Sequence, residues 1–312
     1  TSPSISATIQ EGGAIYQAQF NFEQHGEWVG RLLRKAIKKE NGAVQQGLDY
    51  CDDNGCNWDA GKELKAKGSA GRKIWTPLDT NDTPKSAYVG NWNNWKDTNY
   101  KEINDLFEST GNIVQDYHNA TSTCKGEDNV ADGTTDDIKG LIKFVRGVDY
   151  FDYNGGCNIE EDRASLLSDI YHSQLVEVGA PGANTAFTSN NGESYWRASQ
   201  GYSQFKRAQK DRKKIIYAGS NGGMLHAFDA EFGTELWAFI PPMIAAKLPL
   251  IVNRGYDGKF KKNLKAGGSN AIFGVDGSPV IHDVKIYGLT PNGNAYETGS
   301  KTWRTLLFIP YG

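Results

Sequence analysis

The residues with chemical potential are four cysteines, five histidines, two acidic stretches and a tryptophan-rich loop. Cys51, Cys56, Cys124 and Cys157 lack the C-x2-C pairs, or histidines at matching spacing, that a zinc site uses. Cys51 and Cys56 instead flank Asp52-Asp53-Asn54-Gly55, and Asn-Gly folds back readily, so this pair reads as a turn closed by a disulfide. Cys124 and Cys157 would form a second bridge. Four unpaired thiols is the alternative, although polar, turn-rich surroundings argue against inert core cysteines. The disulfide reading expects an oxidising, extracytoplasmic location. The histidines, His25, His118, His172, His226 and His282, are scattered, and no nucleophile–base pair stands out. There is no G-x-S-x-G, no phosphate-binding loop and no H-E-x-x-H. His172 and His226 read as packed, hydrogen-bonded residues, and the expectation is a protein that is not an enzyme.

Calcium is the one cofactor worth weighing, because it needs six to eight oxygens from a flexible acidic loop. Asp128 and Asp132, with Gly133 after them, stand at the first, fifth and sixth places of such a loop. Its third place is Val130 and its twelfth is Lys139, where an oxygen ligand and a glutamate belong. Asp149, Asp152 and Asn154, followed by Glu160-Glu161-Asp162, fit no EF-hand register. Solvated turns are the simpler reading of both stretches. In Asn91-Trp92-Asn93-Asn94-Trp95, Trp92 and Trp95 are candidate surface contacts, with structural packing as the competing role.

Elements must position these residues, and the composition says which kind. The chain has 312 residues, 34 basic against 37 acidic side chains and a net charge of −3. Such a balance offers no footing for binding nucleic acid or an anionic membrane. No apolar run approaches the roughly 20 residues of a spanning helix. Thirty-six glycines, 8 Trp, 15 Tyr and 13 Phe suggest short strands, tight turns and sheets held by flat side chains. Thr1-Ser2-Pro3-Ser4 carries no leader-like segment, so the chain reads as a mature or excised piece.

Residues 14–22 alternate, with Tyr16, Ala18, Phe20 and Phe22 on one side, as a half-buried strand does. Residues 28–39 fit a helical stripe through Trp28, Leu32, Leu33 and Ala36, but Gly30 and the preceding strand favour a second strand. Residues 41–100 read as loops with short elements. Thr135-Asp136-Asp137 caps a helix carrying Ile138, Leu141, Ile142 and Val145, with Gly147 just past its end. Loops at 179–192 follow a short strand at 172–178, and 202–214 reads as a polar helix whose basic run is a solvated face. Strands at 214–219, 224–230 and 234–240 alternate with the turns Ser220-Asn221-Gly222-Gly223 and Glu231-Phe232-Gly233. Strands at 280–287 and 302–309 follow.

The string Y-A-G-S-N-G-G-M-L-H-A-F-D-A-E-F-G-T-E-L-W-A-F-I-P at 217–241 resembles a blade of the PilY/PilC family of type IV pilus tip-associated adhesins and assembly factors. Flanking segments agree in order: Phe144-Val145-Arg146-Gly147, Leu167-Ser168-Asp169-Ile170-Tyr171-His172-Ser173 and Val275-Asp276-Gly277-Ser278-Pro279. Trp303-Arg304-Thr305-Leu306-Leu307 is similar to the family's tryptophan–threonine strand. The match covers about 140–312 well and 14–75 faintly. Gly222 replaces the family's usual aspartate in the turn, and neither the von Willebrand factor A-like domain nor the late calcium loop has residues here to match.

The resemblance implies a mainly β fold with some α: a partial β-propeller of antiparallel four-stranded blades with helical and loop insertions. Residues 1–135 would be a β- and loop-rich region lending strands to the propeller. Residues 136–312 would be the first recognisable blades, with a helical lead-in at 136–147. The implied function is an extracellular pilus (fimbrium) protein, exported through the periplasm, that aids assembly or opposes retraction and mediates attachment. Implied partners are minor pilins or pilus tip proteins and a host or abiotic surface. Two alternatives accompany it. One is a quinoprotein propeller fragment, because the pyrroloquinoline-quinone dehydrogenase repeat has a similar pattern. The other is a propeller completed by a second chain, because the length falls short of a closed ring.

Overall fold

The computed structural model describes residues 4–6, 14–21, 29–40, 43–46, 57–78, 93–108, 135–150, 156, 158, 160–186, 192–251, 274–289 and 296–310. Strands β1 (Ser4–Ser6), β2 (Ala14–Asn21), β3 (Val29–Glu40) and β4 (Ala43–Gln46) form an antiparallel sheet in that order, and β5 (Trp58–Asp59) pairs with β3. In β2 the expected alternation holds: Ala14, Tyr16 and Ala18 are buried and the residues between them are half-buried. Residues 29–40 are strand rather than helix because β2 hydrogen-bonds one edge and β4 and β5 the other. Gly30 has a different role from the one its sequence position suggests. Its N–H donates to Leu167 O at 2.8 Å, and a Cβ there would lie 2.0 Å from Ser168 O. Residues 165–170 cross β3 at the one position without a side chain. Phe22 and Trp28 lie outside the described residues.

Helix α1 (Ala60–Lys67) starts where Asp59 accepts from Gly61 N at 3.0 Å and stops at Gly68, whose φ is 72°. β6 (Ile74–Trp75) follows, then α2 (Tyr100–Glu108), which the loop-rich composition of this region hid. α3 (Thr135–Arg146) is the expected lead-in helix. Ile138, Leu141, Ile142 and Val145 are buried, and Gly147 at φ 119° ends it.

The second sheet has the order β6, β10 (Glu235–Phe239), β9 (Leu225–Asp229), β8 (Ile215–Gly219), β7 (Val176–Val178). β7 to β10 run antiparallel to their neighbours in chain order, as the meander at 214–240 predicts, and β6 adds a parallel edge. β9 is buried along its whole length. Gly223 (φ 86°) makes the first tight turn; in the second, Asp229 Oδ1 accepts from the N–H groups of Glu231 and Phe232. The strand expected at 172–178 is confined to β7. The helix expected at 202–214 is α5 (Tyr202–Ala208), and α4 (Gly192–Ser199) begins where a loop ended in the sequence reading. α6 (Pro242–Ala245) follows β10.

β11 (Val280–Leu289) and β12 (Tyr296–Phe308) pair antiparallel as a two-stranded ribbon. Among the described residues there are thus three sheets, and none closes on itself. Tyr16, Leu32 and Leu64 meet Leu167, Ile216 and Phe228 in a core between the first sheet and the second. A further core under α2 and α3 holds Ile74, Trp95, Phe107, Phe144, Ile240 and Leu248. No described helix is long and apolar enough to cross a membrane.

Candidate functional site

The densest polar constellation lies inside the second sheet. His226 on β9 and Glu235 on β10 lie on adjacent strands, opposite Ala238 and Phe228 respectively, and their side chains meet along the strands with His226 Nδ1 2.8 Å from Glu235 Oε1. On the other side of the ring, Ser220 Oγ, in the turn after β8, is 3.0 Å from His226 Nε2. Arg72, from the α1–β6 connection, grips both carboxylate oxygens of Glu235, Nε to Oε2 at 2.9 Å and Nη2 to Oε1 at 2.8 Å. Arg72 Nη1 donates to Arg146 O, and Arg146 returns Nη2 to the carbonyls of Ser69 and Arg72. Lys67 Nζ donates to Glu235 O. Glu235 therefore ties the α1–β6 connection, which packs on α3, to β10 through its carboxylate, and α1 through its backbone carbonyl.

Electrostatics follow from the enclosure. Burial alone would push the Glu235 carboxyl up, but the Arg72 charge and the hydrogen bonds from His226 and Arg72 outweigh it and hold it well below the usual range. Burial drives His226 down, helped by Arg72 and opposed by Glu235, so the closed form favours neutral imidazole. Burial and the Arg72 charge push Arg146 down to about 10.

Ser220, His226 and Glu235 stand in the order of a hydrolytic triad, a grouping that sequence inspection missed because the three are not marked by any local motif. Their surroundings give them another job. Ser220 and Glu235 are 1 % exposed and His226 is 0 % exposed. The carboxylate is already committed to a guanidinium, and the Phe228 ring lies parallel to His226 at 5.4 Å. A nucleophile closed to solvent meets no substrate, so the chain of groups is a buried fastening. His226 is the packed, hydrogen-bonded residue its sequence context suggests. His172 is less enclosed: its side chain is 53 % exposed, beside Tyr171, with Nδ1 3.6 Å from Asp276.

Of the other sequence candidates, Cys51, Cys56, Cys124, Cys157, Asp128, Asp132, Asp152, Asn154 and Trp92 lie outside the described residues. Asp149 is buried next to the end of α3, where its N–H donates to Glu161 O at 2.7 Å. Among the described residues no group of three or more His, Cys, Asp or Glu gathers as a metal site. Trp95 corrects the surface-contact expectation. It is 0 % exposed and meets Phe107 edge-on at 6.1 Å in the core under α2 and α3. Residues 93–95 are drawn inward because Trp95 N donates to Ile74 O and Asn94 brackets Thr76 through both its N–H and its carbonyl.

Exposed apolar side chains include Phe232 in the β9–β10 turn and Met243 on α6, and a group of them lies on the ribbon. Val280, Ile286, Tyr287 and Phe308 are exposed apolar residues of β11 and β12, with Tyr287 at 45 % and Phe308 at 49 %. Trp196 of α4 packs edge-on against Trp303 at 5.3 Å and is itself exposed. A polar cleft of about 260 Å³ separates β7 and residues 179–183 from β11. Its frame is a continuous run of hydrogen bonds. Arg212 donates to Gly179 O and Thr305 Oγ1, Thr305 and Tyr202 donate to Asp283, and Ala183 N donates to Tyr202 Oη. Burial and the bond to Asp283 push the Tyr202 phenol up to about 12.

The family model for the PilY1 beta-propeller domain matches residues 167–290, which hold β7 to β11. The chain is 30 % identical to the type IV pilus biogenesis factor PilY1 of Pseudomonas aeruginosa strain PAK over 289 residues, 90 % of this chain and 20 % of that protein. The PilY1 of strain UCBPP-PA14 is 25 % identical over 290 residues, with the same 20 % of its length covered. The PilY1 homolog of Xylella fastidiosa strain Temecula1 is 36 % identical over 94 residues, 30 % of this chain and 7 % of that one. The chain thus spans about a fifth of the length of the Pseudomonas relatives. No solved structure matches it. With the 217–241 pattern folded as three antiparallel strands of the β7–β10 meander inside the matched region, the chain belongs to the PilY/PilC family.

Proposed function

We propose that the chain serves type IV pilus assembly as an extracytoplasmic, non-enzymatic β scaffold, part of a propeller-bearing factor at the pilus tip. The observation that carries this reading is the β7–β10 meander, a blade in its strand order, lying within the matched PilY1 propeller region. The first sheet shares a core with that meander through Tyr16, Leu32, Ile216 and Phe228, and β6 lends it a strand from the N-terminal half. The reactive-looking groups are sealed, so binding falls to the surface, where a rigid scaffold presents aromatics and loops. The ribbon of β11 and β12, exposed through Tyr287 and Phe308, is where further strands or a pilus partner such as a minor pilin would pack. Attachment to a surface, and opposition to retraction, would follow from a tip position.

The test is genetic. Cells lacking the native gene should lose most surface pilin from the sheared fraction and regain it with the wild-type gene. Return of the gene with Tyr287→Asp and Phe308→Asp should leave the protein stable but lower surface pilin or attachment several-fold. Undiminished piliation in the deleted strain would overturn the proposal.

A further inference from the structure

His226 is a buried titratable group that the scaffold role leaves unused, and its setting has a definite direction. Every element around it contributes a charge or a polar atom. Glu235 comes from β10 and Arg72 from the α1–β6 connection. Ser220 comes from the β8–β9 turn, Arg146 from α3 beside Arg72, and Lys67 from α1 at the Glu235 carbonyl. Lys73 stands near Lys67, and Asp97 acts on Arg146. The buried Arg72 guanidinium already neutralises the Glu235 carboxylate, and the half-buried Arg146 stands beside it. A proton on His226 therefore adds an uncompensated positive charge to a space without solvent.

The site can be hydrated in only one inexpensive way. β9 is hydrogen-bonded on both edges, to β8 and to β10, so splitting it out costs the whole sheet. The cover supplied by Arg72 is weaker. β6 is a two-residue parallel edge strand, paired only through Ile74 and Trp75. Its backbone hold is Ala238 N to Lys73 O at 2.8 Å and Ile240 N to Trp75 O at 2.9 Å. Local opening draws on such edges first.

We propose that the Arg72–Glu235–His226 fastening is an acid-sensitive latch: protonation of His226 releases residues 60–76 from β10 while β8 and β9 stay paired. Neutral His226 is the closed form, in accord with its lowered proton affinity there. Stability of the closure is therefore full above the ordinary histidine pKa of 6.5 and is lost as pH falls below it. With the closed form taking up no proton, the open-to-closed ratio rises by about 30-fold between pH 7.5 and pH 5.

Hydrogen exchange on the whole chain at pH 7.5 and pH 5, expressed as protection factors, tests this. The amides of Ala238 and Ile240, and peptides from 60–76, should lose protection by about 30-fold. The β8–β9 amides should hold theirs. His226→Asn, which keeps a donor toward Glu235 but does not titrate, should abolish the acid effect. A variant with His25, His118, His172 and His282 all changed to Gln should retain it, and decides the matter should His226→Asn not fold. Equal loss across β8 to β10, no loss at 60–76, or disappearance of the effect in the four-histidine variant would each overturn the latch.

Discussion

Arg72→Met offers a prediction in which the sign, not only the size, can be worked out. In the wild type, Arg72 and Glu235 form a fully buried, two-pronged ion pair, with His226 held neutral beside them. Methionine fills much the same volume but leaves the Glu235 carboxylate without its guanidinium. Breaking a buried pair by removing one partner costs about 3–5 kcal/mol. His226 is the only other proton carrier in contact with that carboxylate among the described residues. Without Arg72, the Glu235 charge favours imidazolium, so His226 in the variant rises above its ordinary value, where in the wild type it is lowered. In the wild type, the unfolded chain binds more protons below pH 6.5, and stability is lost as pH falls. In the variant, the folded chain binds the extra proton, so stability is present at low pH and lost as pH rises. Each limb has a slope of at most about 1.4 kcal/mol per pH unit. Urea unfolding followed by tryptophan fluorescence, from pH 5.5 to pH 8, reads both. The expected gap is about 3–5 kcal/mol at pH 8, narrowing steadily toward pH 5.5. A variant within about 1 kcal/mol of wild type at pH 8, or one keeping the wild-type sign of the slope, would refute the reasoning.

Gly30→Ala places a Cβ 2.0 Å from Ser168 O and must push the 165–170 crossing off β3, for an expected loss of about 2–3 kcal/mol in the same urea assay. Trp95→Ala empties a fully buried site and should cost about 3–5 kcal/mol, whereas a surface tryptophan would cost little, which separates core from contact by one measurement. Peptide mapping without reduction should recover Cys51 joined to Cys56 and Cys124 joined to Cys157 in protein taken from the cell exterior. Alkylation of all four as free thiols would remove the disulfide argument for that location.

What the sequence disclosed depended on whether a feature was local. Asn221-Gly222-Gly223 and Glu231-Phe232-Gly233 announce their turns, so β8, β9 and β10 could be placed to within a residue or two. The spacing of Ile138, Leu141, Ile142 and Val145 did the same for α3. Long-range pairings left no such trace. β6 is two residues long and exists because β10 is there to receive it. Arg72 and Glu235 are 163 positions apart, and neither carries a motif that names the other. Gly30 looked like a strand signal, but its absent side chain makes room for a segment more than 130 residues later. Trp95 shows the same limit: Asn-rich surroundings suggested a surface loop, yet those asparagines hydrogen-bond the backbone and turn the indole inward.

The central claim, that this family member works on the pilus itself, is tested most directly by where the native protein is found. Pili sheared from intact cells should carry the protein in amounts that rise and fall with the major pilin, and a strain without the major pilin should lose it from that fraction. Protein confined to the cytoplasm, with the sheared fraction empty in piliated and unpiliated cells alike, would contradict the account.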